Sequence, residues 1–155
     1  METVQSLPHE KREQISTGLE KLLADTYTVY LMSHNFHWNV TGPQFYSYHT
    51  MFEEHYTALA LAVDEIAERI RTLGFPAPAT YKEFGDLTSI KEPEGVPLAK
   101  EMIKILVNAH NSIITSAHNA LKQAEDFNDP VTVDLINQRL SYHEKIVWML
   151  KSHLM

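Results

Sequence analysis

Apolar positions recur at three- and four-residue intervals along four long stretches of this chain, and glycine and proline fall mainly between them. In the first, from about Pro8 to Trp38, the residues Ile15, Leu19, Leu22, Leu23, Thr26, Val29 and Tyr30 keep helical spacing. Ser6 ahead of Pro8 reads as a start signal, because proline is tolerated in the first turn, and Thr41-Gly42-Pro43 ends the helix. A second pattern runs from Phe45 to Leu73, closed by Gly74 and Pro76, with an inward face of Phe52, Leu59, Ala62, Val63, Ile66 and Ile70. From Pro76 to Pro97 the chain holds four prolines and two glycines, which predicts a connection, with a short helix near Thr80–Phe84. A third helix follows Pro97 to about Glu125 through Ile103, Leu106, Ile113, Ile114 and Leu121. The fourth opens at Asn128-Asp129-Pro130, a cap followed by proline at the first helical position. It runs to about His153 through Val133, Ile136, Leu140, Ile146 and Leu150. No strand pattern competes, so the expected fold is all-α: a four-helix bundle with one long connection between its second and third helices.

Composition narrows the setting. At 155 residues the chain has the length of one domain, expected to span 1–155 with a short flexible tail over 1–7. Hydrophobic residues make up 44%, which suits a packed core. With no cysteine, disulfides, thiolate metal sites and a cysteine nucleophile are excluded. METVQSLPHEKREQ has no apolar signal-peptide core, and no run of about 18 apolar residues could span a membrane, which points to a soluble, intracellular domain. The net charge of −7 works against non-specific DNA binding, and the first dozen residues hold only Lys11 and Arg12 as basic residues.

Candidate chemistry lies in the second helix. His49 and Glu53 are four apart, as are Asp64 and Glu68, so each pair can share a metal ion. At ~100° per residue all four fall within an arc of roughly 100°. Glu53 and Asp64 nevertheless stand roughly 16 Å apart along the axis at a ~1.5 Å rise, too far for one ion. An antiparallel second copy across a two-fold axis would bring Asp64 and Glu68 opposite the partner's His49 and Glu53, twice per dimer. Its centre would fall near Ala58 and Leu59. Mixed nitrogen and carboxylate donors suit iron, zinc or manganese; the bland alternative is a solvated face carrying ordinary charges. A ferritin-like bundle more often holds its di-iron site inside one subunit through Glu-x-x-His motifs, and no histidine here has a glutamate three residues before it.

Read with His37-Trp38, these residues resemble the Dps family, the mini-ferritins that protect DNA during starvation. The likeness is carried by H-W-x-V-x-G-x-x-F, then H-x-x-F-E-E, then D-E-I-A-E-R-I-R-x-L-G between His34 and Gly74, and by HEKIVWML from His143 to Leu150. The resemblance implies a ferritin-like fold, a homo-dodecameric shell built from two-fold dimers, and ferroxidase centres at those two-fold interfaces. The ligand positions that match are His37, His49 and Glu53 of one subunit with Asp64 and Glu68 of its partner, and Trp38 beside them. Glu53 stands where many members have aspartate, which keeps the charge and changes the reach. Such proteins oxidise Fe(II), preferably with hydrogen peroxide, store the ferric mineral, and work in the cytoplasm, in some cases on the nucleoid. Family pores for iron entry map onto AEDFNDPVTVD, with Asp126, Asp129 and Asp134 as candidates, although Asp129 is equally a helix cap.

The remaining residues carry weaker expectations. His34 is expected at the surface or in a hydrogen bond, His55 exposed or interfacial, and His110, His118, His143 and His153 ordinary. Phe45, Tyr46, Tyr48, Phe52 and Tyr56 read as core and dimer packing, and Glu65, Arg69 and Arg71 as surface ion pairs. The rival function is a nucleoid protein that coats DNA. Members that do so usually carry a lysine-rich tail, which this chain lacks, so DNA binding is expected to be absent or weak.

Overall fold

The computed structural model describes residues 6–155, which form five helices and no strand: α1 (His9–Asn39), α2 (Phe45–Thr72), α3 (Tyr81–Leu87), α4 (Ala99–Asp126) and α5 (Pro130–Ser152). The expected tail falls largely outside the described residues. Helices α1 and α2 pack as one hairpin and α4 and α5 as another; α1 lies against α4, and α3 rides on α1 within the crossover. The expected four-helix bundle with its long connection is therefore the fold, and the core joins Leu19, Leu22, Phe36, Phe52, Ile66, Ile113 and Ile136 among others. Each such fully buried side chain contributes about 1.5–3 kcal/mol relative to exposure.

Helix boundaries follow from local chemistry. Ser6 does not start α1 as expected: Pro8 occupies the cap position and no side chain caps it. The buried Arg12 instead ties this end down, donating to the Leu7 carbonyl at 3.0 Å and the Leu73 carbonyl at 2.7 Å. The short crossover helix opens on a reciprocal capping box between Thr80 and Glu83, and it runs to Leu87, past the expected Phe84. Gly74, at φ 103°, ends α2: its N–H reaches Arg71 and that of Phe75 reaches Ile70, the bonds that satisfy a helix's last carbonyls. Asn128, at φ 57°, ends α4 in the same way, with the Asp129 N–H on the Ala124 carbonyl. Asp129 then caps α5 by accepting from the Thr132 N–H at 3.2 Å, so one residue closes one helix and opens the next.

The crossover is anchored by Asp25, fully buried on α1. Its carboxylate accepts from Thr88 Oγ1 (2.7 Å), Ser89 N (2.7 Å), Ser89 Oγ (2.9 Å) and Ser116 Oγ (2.5 Å). A buried charge needs such a set of donors to offset its lost hydration. Here that demand fixes where the connection crosses α1 and α4.

Candidate metal centre

His37, on the last turns of α1, and His49, on the first turns of α2, meet across the turn at residues 40–44. Their rings stack at 3.8 Å with planes 14° apart. His37 Nδ1 lies 2.7 Å from the His49 carbonyl oxygen, and His49 Nδ1 lies 2.7 Å from the His37 carbonyl oxygen. A carbonyl can only accept, so each Nδ1 must carry the proton, and in the neutral ring each Nε2 is left with its lone pair. Anchoring the far nitrogen on a backbone carbonyl is how metal-binding imidazoles are oriented. The pair is thus preset as two nitrogen donors before any ion arrives. Phe45 stacks on the other side of His49 at 4.9 Å, holding that ring flat.

The carboxylates follow on the outer face of α2. Glu53, Asp64 and Glu68 are all exposed, and between them the same face carries Thr57, Ala60 and Leu61. Leu61 is 67% exposed, whereas Leu59 is fully buried in its own bundle. The Leu59 side chain therefore cannot supply the apolar contact expected near the two-fold centre; Leu61, two positions on, is the large apolar side chain presented outward. Among the described residues, no three His, Asp or Glu side chains of one chain gather around a single metal position. One chain holds two nitrogen donors with Glu53 one turn on, and a separate carboxylate pair further along the helix. Trp38, 62% exposed, stands beside this face and stacks on His34 at 4.3 Å. His34, half-buried, also stacks on Tyr56 at 4.2 Å, so its role is ring packing.

Of the acidic residues at the α4–α5 junction, Asp126 and Asp134 are exposed. Asp129 is 3% exposed and turned inward, where Arg69 binds both its carboxylate oxygens at 2.9 and 3.1 Å and Thr132 Oγ1 donates to it. Arg69 also donates to Thr132 Oγ1 at 2.9 Å, so it links α2 to the start of α5. Asp129 therefore acts as cap and ion-pair partner. Asp134 lines one groove with Glu125 and Asn137, and another with Glu65 and Glu68.

The larger departure from expectation is in the bundle interior. His55, expected on an outer face, is 5% exposed, and His110 and His143 are fully buried. His110 Nδ1 and His143 Nδ1 are 2.9 Å apart, and Arg139 makes a long contact of 3.4 Å to His143 Nε2. A guanidinium only donates, so His143 Nε2 accepts, its Nδ1 donates to His110 Nδ1, and the His110 proton sits on Nε2. His110 Nε2 and His55 Nδ1 have no hydrogen-bond partner among the described residues. Burial, then His55 and Arg139, lower the His110 pKa to about 3. Burial and then His110 hold His143 well below the ordinary range. His55 is lowered to about 4, chiefly by burial. Tyr142, stacked under Arg139, is raised to about 12, again chiefly by burial. Helical spacing could have found these histidines: each continues an apolar stripe, Phe52-His55-Leu59, Leu106-His110-Ile113 and Leu140-His143-Val147.

Comparison with known proteins agrees with the fold and the motifs. Residues 17–155 match the family described as Ferritin: Ferritin-like domain. The chain is 35% identical over 142 residues to DNA protection during starvation protein 2 of Bacillus anthracis, covering 92% of this chain and 97% of that protein. It is 37% identical over 150 residues to an uncharacterised low temperature-induced protein of Nostoc sp., covering 96% of this chain and 84% of the relative. Among solved structures, a Dps protein from Vibrio cholerae O1, described as a member of a broad superfamily of ferritin-like diiron-carboxylate proteins, superposes with a TM-score of 0.94 at 29% identity, covering 100% of this chain and 98% of that one. A Dps protein from Bacillus brevis gives a TM-score of 0.91 at 33% identity, covering 94% of this chain and 98% of that one. With this fold, these motifs and these relatives, the chain belongs to the ferritin-like family and, within it, to the Dps proteins.

Proposed function

We propose that this protein is an iron-oxidising, iron-storing mini-ferritin whose ferroxidase centres form between two-fold-related copies of α2. The observation that carries the reading is the reciprocal anchoring of His37 and His49, whose stacked rings each keep an Nε2 lone pair free as a donor. His37, His49 and Glu53 of one subunit would hold Fe(II) together with Asp64 and Glu68 of the partner. Hard carboxylates favour the ferric product, and the imidazoles anchor the ferrous ion, so the donor set suits iron that arrives reduced and leaves oxidised. Two ferrous ions placed side by side give one electron each to one hydrogen peroxide molecule, which takes up two protons and leaves as water. That route bypasses the one-electron reaction that releases hydroxyl radical.

The ferric product would be stored as mineral inside a homo-dodecameric shell; the diiron-carboxylate description of the Vibrio cholerae relative supports the iron chemistry. Asp134, exposed at the α4–α5 junction, and Asp126 are the residues we assign to iron entry, since a ring of carboxylates concentrates cations by focusing the field. Asp129 is left out of that role because Arg69 already neutralises it. Protection of DNA is then chemical, through removal of iron and peroxide, with direct DNA contact absent or weak and the protein cytoplasmic. Among the described residues no helix is long and apolar enough to cross a membrane.

Anaerobic titration with Fe(II), followed by peroxide, tests the reading. Saturable binding and a rise in ferric absorbance are expected, with both lost in His49→Ala. Equal binding and oxidation in His49→Ala and the parent protein would remove the proposed site.

A further inference from the structure

Beside the proposed iron site, aromatic rings continue beyond what ligand support requires. Tyr56 on α2 meets His37 edge-on at 5.2 Å between ring centroids. From Tyr56 the contacts run to Tyr30 at 6.3 Å, from Tyr30 to Tyr27 at 5.5 Å, and from Tyr27 to Phe84 of α3 at 4.8 Å. These are separations at which neighbouring aromatic rings are in contact. Tyr27, Tyr30, His34 and Trp38 are three or four apart on α1, so one helix face carries the row. Tyr27, Tyr30 and Tyr56 are half-buried, the first two at the edge of a core built mostly from aliphatic side chains. At its far end Tyr27 lines an open groove between α1 and α3 together with the exposed Tyr81. Phenylalanine would fill the same space; what tyrosine adds is a phenol that can give up a hydrogen atom.

We infer that Tyr56, Tyr30 and Tyr27 form a conduit that carries one-electron oxidising equivalents from the iron site to the surface beside α3. The inference rests on the ferroxidase reading. When a lone ferrous ion reduces hydrogen peroxide by one electron, the products are ferric iron, hydroxide and a hydroxyl radical. The radical takes the hydrogen atom of the Tyr56 phenol, electron and proton together, and becomes water. The Tyr56 phenoxyl then takes an electron from Tyr30 across the ring contact and a proton from water, while the Tyr30 phenol releases its proton to water; Tyr27 reduces Tyr30 in the same way, so each phenolic O–H bond that breaks is matched by one that forms. At the groove a soluble thiol gives its hydrogen atom to the Tyr27 phenoxyl and leaves as a thiyl radical. The conduit moves damage away from the histidines that hold the metal.

Rapid-freeze electron paramagnetic resonance tests the path on the assembled protein, mixed with limiting Fe(II) and excess peroxide, with ferric absorbance read on the same samples. The parent protein should give a tyrosyl signal that narrows when the tyrosines are ring-deuterated. Tyr56→Phe, which keeps the ring, should lose that signal while iron oxidation persists. Tyr30→Phe should keep a radical on Tyr56 whose decay no longer speeds up with added glutathione. A tyrosyl signal unchanged in Tyr56→Phe, a glutathione-dependent decay unchanged in Tyr30→Phe, or a radical insensitive to tyrosine deuteration would each overturn the conduit while leaving the ferroxidase reading intact. Absence of iron oxidation in the parent protein would overturn both.

Discussion

The buried histidine pair makes acid sensitivity the property most open to calculation. His110 and His143 are neutral in the folded protein because charging either would place a cation in the core beside Arg139. Both pKa values lie below the ordinary 6.5, His110 at about 3, so the unfolded chain binds protons there that the folded chain does not. The sign follows from that difference: the stabilisation is fully present above pH 6.5 and is lost as pH falls toward the folded value. Each pH unit weighs about 1.4 kcal/mol per proton, so between pH 6.5 and 5 His110 alone removes about 2 kcal/mol, and His143 acts in the same direction. Guanidinium denaturation followed by circular dichroism, at pH 7 and pH 5 and at one protein concentration, measures the loss. The double variant His110→Phe, His143→Leu removes these two groups together and should reduce the dependence to the share left by His55, whose pKa burial also lowers, to about 4. A stability that does not change between the two pH values in the parent protein, or that falls equally in the double variant, would refute the reasoning.

Other outcomes follow from single contacts. Asp129→Ala removes the α5 cap and leaves Arg69 without its carboxylate partner; a loss of about 3 kcal/mol is expected, read as a lower thermal midpoint. Leu61→Glu puts a charge on the outward face of α2, so sedimentation should show dimers and larger assemblies lost while far-ultraviolet circular dichroism keeps its helical content. A gel-shift assay should show no DNA complex at moderate salt, because the net charge of −7 leaves few cations to displace phosphate counterions. A complex that survives moderate salt would favour the DNA-coating reading.

Periodicity made the bundle legible because α2, α4 and α5 each bury one apolar stripe and expose the opposite face. The same stripe held information that residue type obscured. His55 lies in step with Phe52 and Leu59, and its spacing marks it as buried, whereas histidine is ordinarily read as a surface residue or a ligand. Leu59 sits on that stripe too, which places it in the core and leaves Leu61 for the outer face. The His37–His49 pairing was out of reach of helical spacing, because the turn at residues 40–44 sets it and twelve positions separate the rings. Only the family motif joined them. Asp129 was readable as a cap, and it is one; its ion pair with Arg69, sixty positions away, was not readable, because no local pattern announces so distant a partner.

The central claim, a metal centre divided between two subunits, is tested most directly by complementation. One variant, His49→Ala, damages the nitrogen half of the site; a second, Asp64→Ala with Glu68→Ala, damages the carboxylate half. Unfolded together and reassembled, the two should form mixed dimers in which one of the two centres is intact, about a quarter of all centres for random pairing. Tight Fe(II) binding and peroxide-dependent oxidation should therefore return in the mixture, to about that fraction, although neither variant shows them alone. A mixture as inactive as its parents, despite verified mixed dimers, would contradict the account.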